Sequence, residues 1–356
     1  MSETDKDTRL SEARNKLVAV RDEIHKRVQG MDEVIDAVFI VLFSPGNNNH
    51  LLMEAPPGTG KTLLVRTVAE VCDVSFKRIQ MTPGTLSEDI TGDETPIFDR
   101  NGNMTGKYDF VKGPIFANIV LTDEINRTHP KTTSALLEVM EELQVTTKRC
   151  GTYELELPFN VFATQNPRDQ VSGGGTYPLS AAHTDRFMMK VKVPYISDEE
   201  LMRVLDIEDM NIQSHDHDEI VEDICVRKPV NKAISGSEIL AIRDLVGREV
   251  FVSRAVKREI ITLVNLTRPG VDRLVAGGKI VEGAATRFPI FLQRALKAKA
   301  FLSGRDYVTE SDIIELTPSL LGHRLRYDGE IELSKREDVL REALNEIFLK
   351  TNYAVS

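Results

Sequence analysis

Between Asn49 and Pro194, short apolar runs alternate with longer segments of helical spacing: Leu51–Met53, Val74–Ile79, Ile119–Leu121, Val161–Ala163 and Phe187–Val193. Runs this short, bounded by turn residues, read as buried strands. Strands separated by helices predict a parallel sheet covered on both faces, an α/β fold whose ligands gather at the carboxyl ends of the strands. Beyond Tyr195 the pattern becomes helical almost throughout, with capping boxes at Ser197 and Glu200, Ser235 and Glu238, and Thr309 and Asp312. The stretch Asp206–Val230 is rich in Asp, Glu and His, lacks apolar periodicity, and reads as an exposed connector. These shifts predict an α/β domain over residues 1–195, a helix and acidic connector over 196–234, a small all-α domain over 235–330 and a C-terminal helical segment over 331–356. Two hydrophobic cores are expected, a larger and a smaller. Within the first domain, Asn101-Gly102 lies between extended flanks and marks a β-hairpin inserted over about 91–114.

Composition changes this picture little. The 356 residues are 41% hydrophobic and 28% charged, ordinary values for a folded domain. The net charge of −10 argues against binding phosphate backbones or anionic lipid as the main activity. Three widely spaced cysteines imply neither a disulfide framework nor a thiolate metal site, which suits the reducing cytoplasm. The most apolar stretch, Ile35–Phe43, is too short to span a membrane and reads as a buried helix, and residues 1–27 are polar, with no secretory apolar core.

The candidate chemistry lies at the strand ends. After the first run comes Ala55-Pro56-Pro57-Gly58-Thr59-Gly60-Lys61-Thr62, followed by the helical stretch Leu63–Val71. Glycines here let backbone N–H groups close around phosphate oxygens at a helix N-terminus, Lys61 reaches the β- and γ-phosphates, and Thr62 offers its hydroxyl to Mg²⁺. The strict pattern asks for Gly where this chain has Ala55, leaving the backbone there less free. The run Ile119–Leu121 leads to Asp123, suited to hold the water shell of the metal, and to Glu124, suited to orient and deprotonate a water. Phe159–Ala163 leads to Asn166, a neutral amide fit to hydrogen-bond the γ-phosphate or the attacking water. His215-Asp216-His217-Asp218 reads as a solvated loop, and Met188 and Met189 as core.

The order of these elements resembles the AAA+ superfamily. The blocks Ser75-Phe76-Lys77-Arg78-Ile79-Gln80, Asp89-Ile90-Thr91-Gly92, Gly113-Pro114-Ile115-Phe116-Ala117-Asn118, Asp123-Glu124-Ile125-Asn126-Arg127, Ala163-Thr164-Gln165-Asn166-Pro167 and Gly175-Thr176-Tyr177-Pro178-Leu179 resemble its MoxR family, over roughly residues 25–330. The resemblance implies an AAA+ P-loop domain with a helix-2 hairpin insert, followed by an α-helical lid. It makes Asn166 sensor 1 and Arg186, in Asp185-Arg186-Phe187, an arginine finger completing a neighbouring subunit's site, with Arg127 a second candidate for intersubunit contact. In Gly283-Ala284-Ala285-Thr286-Arg287-Phe288 the family reads closer to Gly-Ala-Ser-Pro-Arg, so Arg287 matches sensor 2. Val28 matches the segment that packs on adenine, and Pro57, Gly58, Thr59, Gly60 and Leu63 complete the expected nucleotide contacts beside Lys61 and Thr62. The family implies an ATPase with ATP and Mg²⁺, a homo-oligomeric, hexameric ring, a protein substrate and a partner carrying a von Willebrand factor A domain. A nucleotide-gated assembly module with slow turnover and a DNA-acting protein are the alternatives.

Overall fold

The computed structural model describes residues 3–56, 58–166, 177, 179–195, 197–202, 205, 229–268 and 279–328. The expected connector over 206–230, apart from its last two residues, and the C-terminal segment lie outside these residues, as does Pro57. Five parallel strands form the central sheet: β1 (Leu51–Glu54), β2 (Phe76–Gln80), β5 (Ile119–Asp123), β8 (Asn160–Gln165) and β9 (Met189–Lys192), in the order β2-β5-β8-β1-β9. The strand ending near Asn166 therefore runs between those ending at the phosphate loop and at Glu124.

Alternation along these strands divides the interior. Leu51, Met53, Ile119, Leu121 and Phe162 face one cluster, while Leu52, Val120, Val161 and Ala163 face another, as a period of two requires. The second cluster is closed by α4 (Ser87–Thr91) and α5 (Pro130–Glu142). The first is continuous with α2 (Asp32–Phe43), α3 (Lys61–Val71), α7 (Gly236–Glu249), α8 (Arg254–Leu266), α9 (Arg287–Leu302) and α10 (Glu310–Leu321). Two cores exist, but they are separated by the sheet and not by the two halves of the chain. The helical half shares its apolar interior with one face of the sheet. Arg243 of α7 underlines this: it is 3% exposed and donates to the Leu42 carbonyl and to Asn160 Oδ1, both at 2.7 Å.

The polar N-terminal stretch folds as α1 (Glu3–His25). Leu10, Ala13, Leu17, Val20 and Ile24 form one buried stripe at helical spacing. Its charged flank pairs with both halves, Lys6 with Asp306, Lys16 with Glu238 and Arg21 with Asp36. The three capping boxes form, with Ser197, Ser235 and Thr309 amides received by the carboxylates three residues on. The helical half also holds a short antiparallel pair, β10 (Lys279–Glu282) with β11 (Arg326–Asp328), which apolar periodicity did not suggest.

The inserted hairpin is β3 (Gly92–Phe98) with β4 (Met104–Lys112). Its turn is organised by Asp99 Oδ1, which accepts the Asn101 and Asn103 amides at 2.8 Å, with Gly102 at φ +80°. A second hairpin, β6 (Gln144–Thr146) with β7 (Thr152–Glu154), lies against it: Phe110 stacks on Tyr153 at 4.6 Å and Arg149 covers Tyr108 at 4.0 Å. The remaining short helix α6 (Ala181–Thr184) leads into β9. Among the described residues no helix is long and apolar enough to cross a membrane.

Candidate nucleotide site

The phosphate loop connects β1 to α3. Ala55, fully buried, donates its amide to the Gln165 carbonyl at 3.1 Å, continuing the edge of the sheet. Among the described residues, the non-glycine positions with positive φ are Asp73, Glu124 and Leu143, so Ala55 holds an ordinary backbone and no glycine is needed there. Gly58 and Gly60 do sit at φ +74°, where a side chain is strained although space exists: a Cβ at Gly58 would meet nothing within 4 Å. Gly60 caps α3 without a side-chain acceptor, so the first amides of the helix remain available to an anion. Thr59 closes the loop through a hydroxyl bond to the Pro56 carbonyl at 3.1 Å.

Lys61 is 9% exposed and donates to the Pro56 carbonyl and to Thr59 Oγ1. Burial holds its pKa below the usual lysine value, opposed by the charges of Asp123 and Glu124. The ammonium is thus enclosed in its own loop, with two carboxylates near enough to be felt. Thr62 and Leu63 are half-buried in the first turn of α3. Met31 Sδ lies 4.0 Å from a Cβ built on Gly60, which brings the Val28–Met31 turn beside the loop, and Val28 itself is buried in the core.

Asp123 ends β5 almost buried, with Oδ2 receiving Arg78 Nη2 at 2.7 Å and Oδ1 receiving the Thr164 hydroxyl. The same hydroxyl accepts the Glu124 amide at 2.9 Å, so Thr164 fixes both acidic residues. Glu124 adopts a left-handed conformation, φ +55° and ψ +47°, a strained choice for a residue with a Cβ that turns its carboxylate off the strand line. Gln80 Nε2 donates to Glu124 Oε2 at 3.0 Å, Arg127 pairs with the same oxygen at 3.2 Å, and Asn166 Nδ2 reaches Oε1 at 3.2 Å. Lys61, Asp123, Glu124 and Asn166 therefore meet at the carboxyl ends of three adjacent strands. The uncapped helix start and the enclosed ammonium fit a polyphosphate; the Asp123 carboxylate and the Thr62 hydroxyl are hard oxygen donors of the kind Mg²⁺ prefers. Arg78, Gln80 and Thr164 were not singled out from sequence. Alternation on β2 and β8 could have placed them beside the acidic pair once strand order was known.

Arg186 and Arg287 lie elsewhere. Both pair with Glu141 at the last turn of α5, Arg186 Nε at 3.1 Å. Arg287 also contacts Asp185 Oδ2 at 3.4 Å. The Glu141 carbonyl accepts Asn48 Nδ2 at 2.6 Å, and the Met140 carbonyl bonds the His50 ring at 3.1 Å. Asn48 and His50 precede β1, so this cluster occupies the amino edge of the parallel sheet, while α5 spans about 20 Å between the two edges. Arg287, expected among the nucleotide contacts of its own chain, is thus held at the edge opposite Lys61, because the helical half packs across the sheet face and its α9 begins beside Asp185. Arg127, the other arginine offered for intersubunit contact, here pairs with Glu124 of its own chain.

Residues 50–189 match the ATPase family associated with various cellular activities, and residues 279–343 match the AAA lid domain. The chain is 34% identical to Chaperone MoxR1 of Mycobacterium tuberculosis over 94% of its own length and 82% of that protein's. The chain belongs to the MoxR family of AAA+ ATPases. It is also 35% identical to the uncharacterised YeaC of Bacillus subtilis, across 93% of this chain and 97% of YeaC, and 26% identical to Protein MoxR of Methylorubrum extorquens. A crystal structure from Cytophaga hutchinsonii, provisionally described as an ATPase, superposes with a TM-score of 0.77 at 36% identity, covering 95% of this chain and 96% of that one. As a MoxR-family protein it carries the AAA+ α/β domain and lid, and nucleotide binding is the family's shared property.

Proposed function

We propose that this MoxR-family protein hydrolyses ATP with Mg²⁺ and uses the cycle to remodel a protein substrate from within a homo-oligomeric, hexameric ring. The observation that carries the reading is the convergence of Lys61, Asp123, Glu124 and Asn166 at one sheet edge. Bound ATP and Mg²⁺ supply the phosphoryl group and the cation that neutralises its charge. Lys61 leaves the Pro56 carbonyl for a phosphate oxygen, and the free amides of α3 hold the rest of the chain of phosphates. Asp123 and Thr62 would hold the metal. Glu124, freed from Gln80 and Arg127, orients a water and takes its proton, with Asn166 fixing the direction of approach. Val28 packs against the base.

Arg186 cannot serve this site from the opposite edge of its own chain, which supports a role on the nucleotide of a neighbour. Arg287, held beside it by the same Glu141, belongs to the same outward set. A ring then makes turnover depend on assembly. A partner with a von Willebrand factor A domain, and a client protein rather than nucleic acid, complete the reading on the family's pattern.

Steady-state ATPase assays on the full-length protein test it. Lys61→Ala lowers nucleotide affinity and turnover together; Glu124→Gln keeps binding and loses turnover. Unchanged rates in both variants would remove the ATPase reading.

A further inference from the structure

On the helical half, the end of α7, the start of α8, α9 and the start of α1 border a cleft of about 380 Å³. Lys6, Arg248, Glu249, Phe251, Lys257 and Lys297 line it. Four cations beside one carboxylate make a local reversal of sign in a chain of net charge −10. Two of the cations are paired with acids that do not line the cleft, Lys6 with Asp306 at 2.7 Å and Arg248 with Asp244 at 2.9 Å. Lys297 donates to the Gly247 carbonyl, which leaves two of its three N–H groups for another acceptor.

Lys257 lies in the first turn of α8, where the helix end adds positive potential. Burial, and after it the charge of Lys257, holds the Lys297 pKa below the usual lysine value. Like charges crowded in a half-buried cleft repel, and an anion bridging them removes that cost. Phe251 stands at the rim, 65% exposed. Its backbone is pinned there, its amide donating to the Asp306 carbonyl at 2.8 Å and its carbonyl accepting the Val308 amide at 3.1 Å. A large ring held in solvent beside two ammonium groups suits a ligand with an anionic end and a flat or apolar body.

The geometry points to a second anion-binding site at Lys257, Lys297 and Phe251, separate from the Lys61 loop, that takes a small phosphate-bearing ligand. The phosphate could belong to an inorganic polyphosphate or to a nucleotide, and Phe251 is the residue that separates them. Calorimetric titration of the full-length Lys61→Ala protein at low ionic strength tests the site, with inorganic pyrophosphate and ADP as separate probes. Pyrophosphate is expected to bind saturably, and adding Lys257→Ala with Lys297→Met weakens it at least about tenfold, the loss of charge-assisted hydrogen bonds. Met retains the packing of the Lys297 stem. Removing the exposed Lys131 and Lys148 instead leaves binding unchanged.

If ADP binds more tightly than pyrophosphate and Phe251→Ala abolishes the difference, the ligand is a nucleotide. Equal affinities assign the site to phosphate alone. Absence of saturable binding by either probe, or equal losses from the two lysine pairs, would overturn the proposal.

Discussion

The two edges of the central sheet are built on opposite terms. At the carboxyl edge, Lys61, Asp123, Glu124 and Asn166 face one another, and each is held by neighbours in the same chain, chiefly Thr164, Arg78 and Gln80. At the amino edge, Arg186 and Arg287 share the single exposed carboxylate of Glu141. Behind them Arg324, 4% exposed, is fixed by Asp185 Oδ1 at 2.8 Å and by the Phe187 carbonyl at 2.6 Å. One edge gathers the groups proposed to bind and act on phosphate; the other mounts arginines on a buried base at the opposite edge. A chain with its cations at the wrong edge for its own phosphate site makes chemical sense when a second chain supplies the missing face.

The strongest way to break this comparison is through Arg186. Arg186→Ala is expected to cut ATPase turnover by about 10³-fold or more while leaving nucleotide affinity intact, since an arginine supplied by a neighbour acts on the transition state. Mixing it with Glu124→Gln should restore part of the activity, because each variant lends the other the half-site it lacks. Steady-state rates across mixing ratios check this, and a flat response would place Arg186 outside the reaction. Glu124→Gln alone should cost about 10²–10⁴-fold in turnover with ATP still bound, measured by fluorescent nucleotide binding beside the rate.

The scaffold of the amino edge offers a smaller, pH-dependent test. His50 is wholly buried, accepts the Val161 amide at Nδ1 and bonds the Met140 carbonyl through Nε2; burial pushes its pKa down to about 4. The folded state thus binds this proton less readily than the unfolded chain, so the contribution is intact above pH 6.5 and is lost as pH falls toward 4. About 3 kcal/mol of stability is at stake. Denaturant melts at pH 7 and pH 4 should show a smaller acid loss in His50→Gln than in the parent, because Gln can also donate and accept without titrating. The smallest effect belongs to Glu141→Gln. Exposed ion pairs contribute at most about 1 kcal/mol, so melting should barely change, while both arginines gain freedom and ring turnover rises or holds. A large loss of stability would mean that Glu141 anchors the edge rather than parking its arginines.

Much of this was legible before any coordinates. Short apolar runs placed the five strands, the glycines announced a turn around phosphate, and the capping boxes marked the starts of three segments. These signals are local, because alternation, turn conformation and helix caps depend on residues a few positions apart. The missed helix α1 was legible too, since Leu10, Leu17, Val20 and Ile24 repeat at helical spacing; its charged flank obscured the stripe. The doubt over Ala55 came from judging a position by its usual residue; its φ is not positive, so the backbone there does not require glycine.

Other features had no local trace. Whether Arg287 meets its own chain's phosphate loop depends on where a helix packs, and that is set by the apolar surface shared between the helical half and one face of the sheet. The roles of Arg78, Gln80 and Thr164 depend on which strands are neighbours. From sequence alone came the chemistry proposed for the candidate nucleotide site and the list of its principal groups. Tertiary structure alone decided which groups share an edge and which are turned away, because distance across a fold is fixed by packing between segments far apart in the chain.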